Sequence, residues 1–273
     1  MNTLTVRRLL VDLETPLPPR WCGDAFRTAF FNALSMSFPA GEQLFIDSVR
    51  KGVAALPAEQ QAAFADEIEG FIGQEATHRR IHQRFNAHLQ RQGLVNSWEA
   101  RILSRRGMVE AMDVRNWVAV TAATEHLTAL FAEHLLAHAE PLQGAEPRLR
   151  DLWLWHCSEE SEHRSTAFDL YTALGGSDAW RCAIFKAVTR HFAIDLARQT
   201  LRNLWHDGAG WRLSTWVDGW RLLFGPQGLV TLGRAPWRRY LGDHFHPSQG
   251  DALSAERWLA DNAAIAKPVR AAA

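Results

Sequence analysis

The chain has 273 residues, 47% hydrophobic and 22% charged, a composition that excludes a disordered or fibrous protein and leaves material for a sizeable core. Thirty basic residues balance thirty acidic ones, which excludes the strongly basic footprint of a nucleic-acid-binding protein. Cys22, Cys157 and Cys182 stand apart with no Cys-x-x-Cys pair, which argues against a disulfide framework or a thiolate zinc knuckle and suits a reducing cytosol.

The first segment carries Arg7 and Arg8, but Asp12 and Glu14 interrupt the apolar stretch that follows, so no signal-peptide core is expected. Nor does any window approach the ~20 apolar residues of a membrane-spanning helix. A cytoplasmic location is expected. Helical periodicity runs almost throughout, and Gly and Pro fall between the periodic blocks. The chain therefore reads as all-α, a single unit over 1–273 with a bundle core over about 24–175 and a helical extension over about 177–264. A short helix is predicted from about Asp24 to Met36, and a second starts near Pro39 and runs to about Ala55. Pro57 opens a long helix ending near Gly93. Ser97 begins a segment that leads, around Asp113, into a long helix stopped by Pro141. Pro147 opens a helix that closes at Gly175 and Gly176, and Ser177 caps a fifth long helix to about His206. Trp-rich helical segments, a loop at 244–250 and a last helix from about Ala252 to Ala264 follow.

The helix after Pro57 has a core-facing seam of Phe64, Ile68, Phe71, Glu75, His78, His82, Phe85 and Leu89, spaced by threes and fours. The helix after Pro147 gives Leu152, His156, Glu160, His163, Ala167, Leu170 and Leu174. Each seam holds a Glu-x-x-His, Glu75 with His78 and Glu160 with His163, and the i, i+3 spacing aims both side chains at one point. The other two long helices each add one seam carboxylate. Glu42 lies among Phe38, Phe45 and Val49; Glu125 lies among Trp117, Thr121, Thr128 and Leu135. Glu42 precedes Glu75 by 33 residues and Glu125 precedes Glu160 by 35, the mark of a duplicated helix pair.

Four inward glutamates would each cost several kcal/mol in desolvation if left unpaired, and no Lys or Arg shares their seams. Two divalent metal ions would balance Glu42, Glu75, Glu125 and Glu160, with His78 and His163 completing the coordination. Helix-borne Glu, Glu-x-x-His, Glu, Glu-x-x-His is the donor pattern of ferritin-like four-helix bundles with a dimetal core. Such ligands suit iron first, with manganese and zinc as alternatives. His82, one turn beyond His78, and His156, one turn before Glu160, are further ligands or hold a ligand in place. Thr121 and Thr128, a turn either side of Glu125, can bring hydroxyls near the cluster or simply pack. His126 points about 100° from Glu125 and is not expected to ligate, while Glu159 and Glu162 are expected on a solvated face.

On Phe38-Pro-Ala-Gly-Glu42, Gln74-Glu75-Ala-Thr-His78 with His82, Thr124-Glu125-His126 and His156-Cys-Ser-Glu-Glu160-Ser-Glu-His163, the chain resembles the ferritin-like family of predicted metal-dependent hydrolases. The resemblance covers roughly residues 5 to 262, includes Phe245-His246-Pro247, and implies the six metal residues Glu42, Glu75, His78, Glu125, Glu160 and His163. More distantly the arrangement is similar to arylamine N-oxygenases and ribonucleotide reductase small subunits.

By ligand type the first expectation is an oxygen-activating oxidase or oxygenase of a small or lipophilic substrate, needing an external electron donor because no flavin fingerprint or cysteine cluster is present. The alternative is a metal-dependent hydrolase acting through a water between the metals; the third is iron storage. From Trp205 to Tyr240, five tryptophans and five arginines accompany two aspartates. Leu213, Trp216, Val217, Trp220, Leu223 and Phe224 share a helical face there. That face either caps the bundle, forms a homodimer or touches a membrane surface.

Overall fold

The computed structural model describes residues 4–269. Ten α-helices account for most of them: α1 (Ala25–Ala54), α2 (Ala58–Arg91), α3 (Trp98–Glu110), α4 (Val114–Ala137), α5 (Pro147–His163), α6 (Thr166–Ala173), α7 (Asp178–His206), α8 (Leu213–Phe224), α9 (Leu229–Arg239) and α10 (Leu253–Asp261). The fold is an all-α helical bundle. Two three-residue strands, β1 (Arg7–Leu9) and β2 (Ala266–Pro268), pair antiparallel and tie the two ends of the described chain together. No helix among the described residues is long and apolar enough to cross a membrane.

Side-chain caps set several starts: Asp24 accepts from the Arg27 amide, Glu146 from Leu149 and Ser177 from Trp180. Helices α1, α2, α4 and α5 carry the inward carboxylates, and α7 lies along α1 and α4. The largest core cluster gathers Trp21, Phe31, Phe85, Trp153 and Trp155 at one end, and a second groups Phe45, Phe64, Phe71, Val118 and Leu170 at the other.

Two boundaries differ from the sequence expectation. Residues 25–54 form one continuous helix with Pro39 inside it, not two. Proline removes the amide that would bond the carbonyl four residues back; here that carbonyl, on Ser35, accepts the Asn86 Nδ2 of α2 at 2.8 Å. The packing partner supplies the missing donor, so the helix need not end. Conversely, the single helix expected from Pro147 to Gly175 is broken after His163. There Arg164 turns out, donating to the Ser161 carbonyl at 3.0 Å and to the carbonyls of Pro247 and Gly250. A tertiary strap to the C-terminal loop replaces helix continuation.

Candidate metal centre

Helical phase carries the six predicted donors to one place. Glu42 of α1, Glu75 and His78 of α2, Glu125 of α4, and Glu160 and His163 of α5 are all buried. Glu42, His78 and His156 each offer one atom, and these lie within 4.8 Å of one another; Glu75, Glu160 and His163 form a second group of the same kind. His163 Nε2 stands 3.2 Å from Glu75 Oε1, 3.3 Å from Glu125 Oε2 and 3.6 Å from Glu160 Oε1. Glu160 Oε1 also lies 3.6 Å from His78 Nδ1 and 2.9 Å from His156 Nε2, so this oxygen stands between the two groups.

The cluster's polar atoms are conspicuously unpaired. Both carboxylate oxygens of Glu42, Glu75 and Glu125, together with Glu160 Oε2, His78 Nδ1 and His163 Nε2, are buried without a hydrogen-bond partner. Orphaned donors and acceptors on this scale are rare in folded proteins. All belong to oxygen- and imidazole-bearing groups that converge, so the residues fit two divalent cations. Burial pushes Glu42 and Glu75 well up from the usual carboxylate range, neighbouring glutamates adding to it, and raises Glu125 to about 7. Burial also works to raise Glu160, but the His156 and His163 imidazoles outweigh it and hold that carboxyl low. His163 moves up against its own burial because Glu125 and Glu160 face it. A single proton shared around His163 can compensate only part of four carboxylates.

Hydrogen bonds around the cluster decide which nitrogen of each ring faces inward. Gln74 Nε2 donates to Glu162 Oε2 at 2.7 Å and to the Thr5 carbonyl at 3.0 Å, so Gln74 Oε1 must accept, and its partner at 2.9 Å is His163 Nδ1. That nitrogen carries the proton, leaving the Nε2 lone pair free for the cluster. On the opposite side Glu159 Oε2 lies 3.0 Å from His78 Nε2. Burial pushes Glu159 up to about 8 and Arg7 works the other way; ionised, it accepts the Nε2 proton and leaves His78 Nδ1 facing inward. Gln74 and Glu159 occupy the same position, immediately before the Glu of each Glu-x-x-His, and each reaches across to the other motif's histidine. The likeness of the two motifs extends to the residues that orient the ligands.

A third relay distinguishes His82 from His156. The Ser35 hydroxyl donates to Asn86 Oδ1 at 2.7 Å, so at 2.9 Å it accepts from His82 Nδ1. His82 Nε2 is then the acceptor for His156 Nδ1 at 2.7 Å, and His156 Nε2 is left facing Glu160. Both nitrogens of His82 are occupied, so His82 supports His156, which joins the donor group. Thr128 Oγ1 donates to the carbonyl of Glu125 at 2.9 Å, and Thr121 Oγ1 is buried without a partner.

Glu159 is fully buried and Glu162 half-buried, contrary to the expectation of a solvated face. The reason is that α5 is enclosed on every side over Trp155–Ser161. Trp153, Trp155 and Cys157 on faces other than the seam were the signal in the sequence, since a helix apolar all round is a buried one. Arg7, which no motif marks, donates to both Glu162 oxygens at 2.7 and 2.9 Å and to Glu159 Oε1 at 3.3 Å. It reaches them because Gly70 and Gly73 leave room on α2: a Cβ at Gly73 would meet Val6 at 2.3 Å, and one at Gly70 would meet Leu4 at 2.6 Å. His126 stacks on Tyr240 at 4.6 Å, away from the cluster.

The family described as predicted metal-dependent hydrolase matches residues 5–251. No curated protein and no solved structure matches the chain.

Proposed function

Since the chain belongs to the family of predicted metal-dependent hydrolases, we propose that it is a dinuclear metal hydrolase whose cations lie inside the cage of α1, α2, α4 and α5. The observation that carries this reading is the set of converging, buried, unpartnered carboxylate and imidazole atoms. Glu42, His78 Nδ1 and His156 Nε2 would hold one ion. Glu75, Glu125 and His163 Nε2 would hold the other, with Glu160 shared. Bound there, paired divalent cations polarise a carbonyl or phosphoryl oxygen and lower the pKa of an attacking water. The protein's part is to fix coordination and exclude bulk solvent. Gln74 holds the ring of His163 in the ligating tautomer, His82 does the same for His156, and Glu159 when ionised does so for His78. Phe38, Phe71, Trp153 and Trp155 pack against these rings and keep the surroundings dry.

One observation favours a second reading, oxidation of an organic substrate with dioxygen. The donor set is carboxylate and imidazole without thiolate, which suits iron and manganese as well as zinc, and the four-helix carboxylate arrangement resembles that of ferritin-like dimetal proteins. An external electron donor would then be required.

Metal analysis of the isolated protein and of protein loaded anaerobically with Fe(II), Mn(II) or Zn(II) tests the common premise. About two ions per chain are expected, lost in Glu75→Ala; no bound metal under any condition would overturn both readings. Ester and phosphoester turnover that persists without oxygen supports hydrolysis, whereas turnover that requires and consumes oxygen replaces it with the second reading.

A further inference from the structure

Outside the cage, the space enclosed by α1, α3, α4 and α7 is hollow. A cavity of about 350 Å³ lies there, within the roughly 300–1,000 Å³ of small-molecule sites. Its walls are apolar, including Leu44, Phe45, Trp98, Ile102 and Val188. Three hydroxyls line it, and each is spent on its own helix: Ser37 donates to the Leu34 carbonyl at 2.7 Å, Thr124 to Val120 at 2.9 Å and Thr128 to Glu125 at 2.9 Å. At the inner end stands Glu42, both of whose oxygens lack partners. Phe38, Thr128 and Phe192 also line a second, smaller cavity of about 60 Å³ whose wall includes His156 and Glu160. The larger hollow thus touches the metal centre at Glu42, and the smaller one beside it touches His156 and Glu160. At the outer end Met108 and Met112 are exposed, beside Arg105 and His191.

We propose that this hollow is the substrate chamber and that it takes an aliphatic chain, acyl or alkyl, whose reacting polar group lies at Glu42. The walls offer no free donor or acceptor between Glu42 and the mouth, so a sugar, nucleotide or amino acid would bury unpaired polar groups, an unfavourable exchange. An aliphatic chain loses nothing by entering and gains the transfer from water. The flexible methionines at the mouth suit a chain of variable shape. The reaction at the inner end rests on the metal reading above; chain binding does not.

Gly41 provides the test. It lines the chamber, and a Cβ placed there meets nothing within 4 Å. A side chain at this helical position would project into the hollow while improving helix propensity. Calorimetric titration of the full-length protein, metal-loaded and metal-free, with linear 1-alkanols from butanol to dodecanol should show affinity rising about fourfold per methylene until the chamber is filled, then levelling. In Gly41→Leu the levelling should move to shorter chains, with metal content unchanged; Gly41→Ala serves as the control for folding and metal content. Affinity independent of chain length, or levelling at the same length in Gly41→Leu, would overturn the proposal. Chain-dependent binding without hydrolysis of the matching aliphatic esters would keep the chamber and remove the hydrolase reading. Hydrolysis of short esters with no chain-length dependence in binding would do the reverse.

Discussion

At the scale of single residues, the roles of the histidines follow from where each ring proton goes. His156 has one nitrogen committed to His82 and the other free toward Glu160, whereas His82 has none free. His156→Ala is therefore expected to bind one metal ion fewer than wild type, while His82→Gln keeps the full complement with weaker affinity, as measured by metal analysis after equilibrium dialysis. Gln74 fixes His163 in the same way, and Arg7 anchors both Gln74, through Glu162, and Glu159. Loss of a group that orients a ligand typically weakens metal binding by about 10- to 100-fold. Gln74→Leu should fall in that range, and Arg7→Met should shift affinity in the same direction, in competition with a chromophoric chelator.

At the scale of elements, the pairing of α1 with α2 depends on the exchange at Pro39. Asn86 satisfies the Ser35 carbonyl that Pro39 leaves free, and accepts the Ser35 hydroxyl that holds His82. Asn86→Leu leaves the Ser35 carbonyl buried without a donor and the Ser35 hydroxyl without its acceptor, while its bond with His82 remains; the carbonyl alone costs about 1–3 kcal/mol. Denaturant unfolding should show that loss. Adding Pro39→Ala should recover part of it, because an amide is restored to the Ser35 carbonyl. This is also where reading the sequence alone divided one helix in two. Pro39 is a local stop signal, and what cancels it lies 47 residues away in the next helix. The break after His163 was missed for the converse reason: nothing local forbids helix there, and the pull comes from carbonyls at Pro247 and Gly250.

At the scale of the whole molecule, two features outside the metal centre have measurable consequences. Burial lowers His126 to about 3 and His134 to about 4, so both are neutral in the folded state. Below their ordinary range near 6.5 the unfolded chain takes up protons that the folded chain does not. Stability is thus fully present above about pH 6.5 and is lost as pH falls toward the folded values. The slope of melting temperature against pH between 7.5 and 5 should be shallower in His126→Phe. The second feature is α8, which buries Thr215, Gly219 and Leu222 and turns Leu213, Val217, Trp220 and Phe224 outward. Arg212 and Arg221 flank that face. A dimer sealed through this face would appear as a concentration-dependent mass that Trp220→Ser with Phe224→Ser abolishes; co-sedimentation with phosphatidylserine vesicles, lost in the same variant, would instead mark a lipid surface.

The helical class, the inward seams and the convergence of Glu42, Glu75, His78, Glu125, Glu160 and His163 were legible in the order of residues alone. Helical periodicity states which side of its own axis a residue faces, and a glutamate among phenylalanines can face inward only with a partner. Whom each inward group meets is set by the packing of the helices. The choice between His82 and His156, the burial of Glu159, the reach of Arg7 across the two glycines of α2 and the hollow beside Glu42 all depend on how helices lie against one another. Those relations join residues tens to hundreds of positions apart, and no local spacing encodes them.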